Sequence, residues 1–158
     1  MSEQTHGQDE CVALIVDDEG KIRQTLTDVI EDEGWAVISA ENGVKGLQAF
    51  ARQDLDLVLL DVWMPGIDGI ETLQKMKQLK PKIPIVIMSG HGTIETAVRA
   101  TRIGAFDYLE KPLSLDKIYP LLEHAKRMRT LLEDKHQLLT ELFGTAPSIL
   151  QIKRQINM

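Results

Sequence analysis

Val12-Ala13-Leu14-Ile15-Val16 is an unbroken apolar run that stops at Asp17-Asp18. Leu57-Val58-Leu59-Leu60 stops at Asp61 in the same way, and Ile83-Pro84-Ile85-Val86-Ile87-Met88 stops at Ser89-Gly90. A strand with one wet face alternates polar and apolar residues. Continuous apolar runs of this length instead suit strands covered on both faces, as in a parallel sheet flanked by helices. Residues 35–40 and 105–109 are two weaker strand candidates.

Helical periodicity fills the gaps. Ile22, Leu26, Val29 and Ile30 form one stripe, with Gly34 as its stop. Val44, Leu47 and Phe50 give a shorter helix weakened by Gly43 and Gly46. Ile70, Leu73 and Met76 follow Asp68, a suitable N-cap; Ile94, Ala97 and Val98 follow Thr93 and should stop at Gly104. A much longer helical pattern starts at Ser114, and Pro120 within it removes one hydrogen bond, so a bend is expected there. Five alternations of strand and helix predict an α/β fold: a doubly wound, five-stranded parallel sheet in the flavodoxin-like order 2-1-3-4-5.

Composition is that of a globular protein. Of 158 residues, 43% are hydrophobic and 27% charged, with 18 basic against 24 acidic residues for a net charge of −6. That balance argues against a chain built chiefly to coat nucleic acid. Cys11 is the single cysteine, which excludes an internal disulfide framework and a multi-cysteine zinc site. No apolar run approaches the ~20 residues that cross a bilayer, and the polar, acidic start of the chain is unlike a secretory signal. A cytoplasmic location, with no membrane contact, is the expectation.

In an open parallel sheet, ligands bind beyond the carboxyl ends of the strands. Those ends deliver Asp17 and Asp18, Asp61, Ser89 and, two residues after the last strand, Lys111. Three converging carboxylates repel one another and raise one another's pKa values. A hard divalent cation relieves the conflict, and an all-oxygen site suits Mg²⁺. Lys111 adds a compact positive charge able to reach a phosphate oxygen. The plainer alternative is that Asp17 or Asp18 merely caps the first helix.

These residues resemble the receiver domain of two-component response regulators. The likeness covers about residues 11 to 125 and is carried by Val16-Asp17-Asp18-Glu19, by Asp61 through Gly69, by Ser89-Gly90-His91-Gly92, and by Tyr108-Leu109-Glu110-Lys111-Pro112. It implies that Asp61 accepts a phosphoryl group from a phosphohistidine on a sensor histidine kinase. Asp18, Asp61 and the backbone carbonyl of Trp63 would ligate Mg²⁺, with Asp17 acting through water. Lys111 and the Ser89 hydroxyl would hold phosphoryl oxygens, Ser89 and Tyr108 would form the switch, and the Lys111-Pro112 bond would be cis. Such a chain is a phosphoacceptor regulatory domain rather than an enzyme, assisting its own phosphotransfer and slow dephosphorylation. An indole at Trp63 cannot orient hydrolytic water, so a long-lived phosphoryl group is expected. His91 reads as a loop residue.

Ile118, Leu121, Ala125, Met128, Leu132, Lys135, Leu139 and Leu142 recur at alternating spacings of three and four. That heptad pattern predicts a coiled-coil linker over residues 126–143, with Met128, Leu132, Leu139 and Leu142 forming a homodimer seam. Residues 1–10 are expected to be disordered. Residues 144–158 resemble the opening of the AAA+ ATPase domain of nitrogen-regulation-type, sigma-54-dependent activators. Partners of a longer protein would then include sigma-54 RNA polymerase and DNA. No Gly-x-x-x-x-Gly-Lys-Ser/Thr loop occurs in these 158 residues and no helix-turn-helix is evident, so they should neither hydrolyse ATP nor bind nucleic acid. Two other classes come into question, and this sequence lacks the signature of each. A haloacid-dehalogenase-type phosphatase wants an Asp-x-Asp after its first strand; a flavodoxin wants a hydroxyl- and glycine-rich phosphate loop there.

Overall fold

The structure, a computed structural model, describes residues 10–90 and 93–143. Strand and helix alternate: β1 (Val12–Val16), α1 (Gly20–Asp32), β2 (Ala36–Ala40), α2 (Gly43–Arg52), β3 (Leu57–Asp61), α3 (Gly69–Leu79), β4 (Ile85–Ser89), α4 (Ile94–Ile103), β5 (Asp107–Glu110) and α5 (Leu115–Phe143). The five strands form one sheet in the order β2-β1-β3-β4-β5, and every neighbouring pair is parallel. Fold class and strand order are those the sequence predicts.

Alternate residues of each central strand feed two separate cores, which is why the runs contain no polar position. Ala13, Ile15, Leu57, Leu59, Val86 and Met88 pack with Leu26 and Ile30 of α1 and Ile118, Leu121 and Leu122 of α5. Leu14, Val16, Val58, Leu60, Ile85 and Ile87 pack with Phe50 of α2, Leu73 and Met76 of α3, and Ala100 of α4. Asn42, Asp68 and Thr93 cap α2, α3 and α4 by accepting from the amides of Lys45, Glu71 and Thr96. The glycines of α2 have a packing reason: a Cβ at Gly46 would lie 2.8 Å from Val16 of β1. Close approach to the sheet offsets the propensity cost of glycine within a helix.

The chain falls into two compact units parted after Ala125. In the second, residues 126–143 are helical, with Met128, Leu131, Leu132, Leu138, Leu142 and Phe143 exposed. Pro120 lies inside α5, which runs from Leu115 to Phe143. Residues 1–9, His91 and the 144–158 segment lie outside the described residues, and so do the expectations placed on them.

Candidate functional site

The strand register aligns the carboxyl ends of β1, β3, β4 and β5: Val16 lies beside Leu60, Asp61 beside Met88, and Ser89 beside Glu110. Asp17 directly follows β1, Asp61 and Ser89 close β3 and β4, and Lys111 directly follows β5. One edge of the sheet therefore carries all of them. The Lys111 amide donates to the Ser89 carbonyl at 2.8 Å, extending the pairing of β4 and β5 by one rung.

Asp17 is wholly buried. Its Oδ2 accepts from Lys111 Nζ at 2.7 Å and its Oδ1 from the Glu19 amide at 2.9 Å. The expectation that Asp17 or Asp18 caps α1 is not met: Glu19 is the N-cap, and its side chain makes no capping bond. Lys111 Nζ also lies 3.4 Å from Asp61 Oδ2, so one ammonium bridges two carboxylates. Asp61 Oδ1 accepts from the Trp63 amide at 3.3 Å. Asp18 is exposed, yet one oxygen from each of Asp17, Asp18 and Asp61 can be chosen so that all lie within 4.8 Å of one another.

Two electrostatic shifts follow. Burial, and then the charge of Asp17, raise the Asp61 carboxyl from its ordinary 3.8 to about 6, against the opposing pull of Lys111 and the Trp63 amide. Burial alone would lower Lys111, but its hydrogen bond and charge interaction with Asp17, helped by Asp61, leave its ammonium above the ordinary value. The site is a buried cluster of excess negative charge with one cation inside it. Three hard oxygen donors at this spacing, one of them open to solvent, fit a small divalent cation.

Ser89 is buried at the rim of this cluster. On the neighbouring strand, Tyr108 packs against the core cluster that contains Ile87 and Ala100. Its hydroxyl is buried and has no hydrogen-bond partner among the described residues. Trp63, in the loop after β3, is 57% exposed. The Lys111-Pro112 bond is cis, as expected.

Two residues that sequence reasoning passed over shape the site. A Cβ at Gly69 would lie 2.3 Å from the Asp61 carbonyl oxygen and 2.5 Å from Val62 Cα, so only glycine lets α3 start against the end of β3. Arg23 Nη1 donates to the Asp17 carbonyl at 2.7 Å. Gly69 was foreshadowed by the Asp-Gly pair at the head of α3, and Arg23 by nothing beyond a cation soon after two acids.

Residues 13–123 match the model of the response regulator receiver domain. The chain belongs to the response regulator receiver family. A response regulator described as NtrX-like from Rickettsia bellii (strain RML369-C) is 40% identical over 152 residues, 91% of this chain and 32% of that protein. The crystal structure of the receiver domain of NtrX from Brucella abortus superposes with a TM-score of 0.68 at 39% identity, covering 73% of this chain and 98% of that one. NtrX from Brucella abortus in complex with ADP gives 0.72 at 37% identity, covering 82% of this chain and 30% of that one. The chain thus spans about a third of the length of the curated relatives it matches. Its receiver is the regulatory module of a two-component system, and the family match favours it over the phosphatase and flavodoxin readings. Among the described residues, no helix is long and apolar enough to cross a membrane.

Proposed function

We propose that Asp61 takes a phosphoryl group from a phosphohistidine of a sensor kinase, and that the resulting charge controls what the rest of the protein does. One observation carries this above the others: Lys111 bridges Asp17 and Asp61 within a triad of carboxylates that includes a solvent-facing Asp18. A carboxylate oxygen of Asp61 forms the new P–O bond as the P–N bond breaks, and the departing imidazole nitrogen keeps the electron pair. Such loose, in-line transfers need positioning and charge neutralisation more than covalent help. Asp17, Asp18, Asp61 and the Trp63 carbonyl would hold Mg²⁺, which when bound neutralises phosphoryl oxygens and favours ionised Asp61. Lys111 supplies a fixed positive charge, and the Ser89 hydroxyl donates to a phosphoryl oxygen.

The group adds about −1.5 to −2 charges, and a hydrogen bond to a charged acceptor is worth ~1.5–3 kcal/mol. Drawing Ser89 toward it biases a bistable element. Tyr108 is the coupled partner, and its buried hydroxyl, without a bond among the described residues, fits a packing that a second arrangement can relieve. The surface of α4, β5 and α5 is the output face. Because the exposed indole of Trp63 offers no base for water, the acyl phosphate is long-lived; Trp63→Asn should speed its hydrolysis, and an unchanged rate would count against that role.

Residues 126–143 form the linker. At 100° per residue its apolar side chains from Met128 to Phe143 fall within an arc of about 140°, with Lys135 near the centre. An exposed stripe repeated every seven residues supports parallel self-association, and the single lysine supports a weak, register-specific dimer. The short resemblance of residues 144–158 to AAA+ openings, beside the ADP bound by the Brucella relative, favours a following ATPase domain, and the same resemblance would make sigma-54 RNA polymerase its partner.

Incubation of the chain with Mg²⁺ and acetyl phosphate tests the core of this. A stoichiometric, acid-stable and base-labile adduct confined to Asp61 is the expected result. Equal labelling of Asp61→Asn, or turnover of varied phosphate esters, would overturn it. Molecular mass with and without beryllofluoride then tests the linker.

A further inference from the structure

The turn between β1 and α1 carries two of the three carboxylates, so its shape sets the cation site. Like charges held together push such a turn apart, and α1 offers it little help. Its N-cap makes no side-chain bond, and its first turn contains no acidic residue. What holds the turn is the set of bonds on Asp17. The amide donates to the Ala40 carbonyl at 3.1 Å, Oδ1 accepts from Glu19, and Oδ2 accepts from Lys111. The carbonyl is the remaining polar group, and Arg23 Nη1 donates to it at 2.7 Å.

Arg23 stands in the first turn of α1, and its own amide donates to the Glu19 carbonyl at 3.1 Å. Its guanidinium folds back over the start of the helix, where a Cβ on Gly20 would lie 3.6 Å from Nη2. It also faces the β2–α2 loop: Glu41 is held below its ordinary pKa by Lys45 first and by Arg23 in smaller measure.

We propose that Arg23 is a positioning residue for the divalent-cation site, acting through the Asp17 carbonyl to keep Asp18 beside the buried Asp61. This rests on the cation-assisted role proposed for the triad. Arg23 touches neither the cation nor the phosphoryl group. Its charge taken alone would repel a cation, so the sign of the effect separates geometry from electrostatics: removing a merely repulsive arginine tightens binding, and removing a brace weakens it.

The test is Mg²⁺ titration of the chain by calorimetry and by tryptophan fluorescence, with Arg23→Lys and Arg23→Met beside wild type. Arg23→Lys keeps the charge and loses the fork; Arg23→Met loses the charge and keeps the stem. Both should weaken Mg²⁺ affinity by about tenfold, the lower end of what outer partners of metal ligands contribute. Labelling by acetyl phosphate should need more Mg²⁺ yet reach the wild-type rate at saturation. Unchanged or tighter Mg²⁺ binding by both variants overturns the inference alone. So does a lowered melting point with the Mg²⁺ dependence unmoved. Failure of wild type to bind Mg²⁺ overturns the reading of the triad itself. Should Arg23→Met fail to fold, Arg23→Lys decides the matter.

Discussion

Asp61 is placed where a carboxylate is costly, and replacing it measures that cost. It is 3% exposed, and burial together with Asp17 raises its pKa from 3.8 to about 6. About 2 units at 1.36 kcal/mol each give about 3 kcal/mol of differential stability. The folded-state value lies above the unfolded one, so this stability is fully present below pH 3.8 and is lost as pH rises through 6. At pH 7.5 the wild-type chain, free of divalent cation, carries the whole penalty. Asp61→Asn carries none, keeps an oxygen for the Trp63 amide, and leaves Lys111 its 2.7 Å bond to Asp17. The rise to about 6 is already net of the attraction from Lys111 at 3.4 Å, so its loss takes nothing further from the gain. A stabilisation of about 3 kcal/mol is expected, or roughly 12 °C in melting temperature at about 4 °C per kcal/mol for a domain of this size. Thermal melts in chelator from pH 4.5 to 8 should show the two proteins parting as pH rises toward 6 and holding a constant difference above it. Added Mg²⁺ should raise the wild type more than the variant, since a ligand at 100 times its Kd contributes about 2.7 kcal/mol. A difference independent of pH, or a variant less stable than wild type at pH 7.5, would refute the electrostatic account of Asp61.

Three further outcomes follow from individual contacts. Gly69→Ala forces a Cβ against the backbone of Asp61 and Val62, so denaturant unfolding should show a loss of about 1–3 kcal/mol together with reduced labelling at Asp61. A wild-type midpoint would show that α3 can back away freely. Tyr108→Phe removes a buried hydroxyl that has no partner among the described residues; an unsatisfied buried polar group costs about 1–3 kcal/mol, so the variant should unfold at higher denaturant concentration. A lower midpoint would mean that the hydroxyl is bonded in solution. Leu132→Asp combined with Leu139→Asp places charges in the linker stripe and should abolish self-association in sedimentation runs, with Asp61 labelling unchanged. Lys135→Leu should act in the opposite sense, and an unaltered mass for both would remove the linker from the interface.

The sheet was legible because its central strands are buried on both faces, and such a strand leaves a mark that needs no partner to read: apolar throughout, then an abrupt polar stop, a carboxylate after β1 and β3 and Ser89 in β4. The edges were less so. Asp107 opens β5 later than expected because Phe106 and Asp107 are exposed on an edge strand, where apolar continuity is not required. Pro84 lies outside β4, yet its carbonyl still accepts from Val58 at 3.0 Å; a proline lacks only the donor half of a ladder rung. Within the site the same division holds. Asp17, Asp18, Asp61 and Lys111 each end a readable strand, and the structure brings them together. Arg23 and Gly69 act on main-chain atoms, the carbonyl of Asp17 and the backbone of Asp61 and Val62, and a main-chain atom has no letter in the sequence. Side-chain spacing can therefore announce which groups do chemistry at a strand end while staying silent about what holds them in place. Those silent supports are where the site can be weakened without touching its chemistry: an Arg23 substitution should shift cation affinity and leave the saturated rate alone, whereas Asp61→Asn should abolish the reaction and, above pH 6, steady the fold. Opposite signs on stability and function at Asp61, beside a shift in cation affinity alone at Arg23, would be hard to explain if the acidic cluster were only a solvated surface.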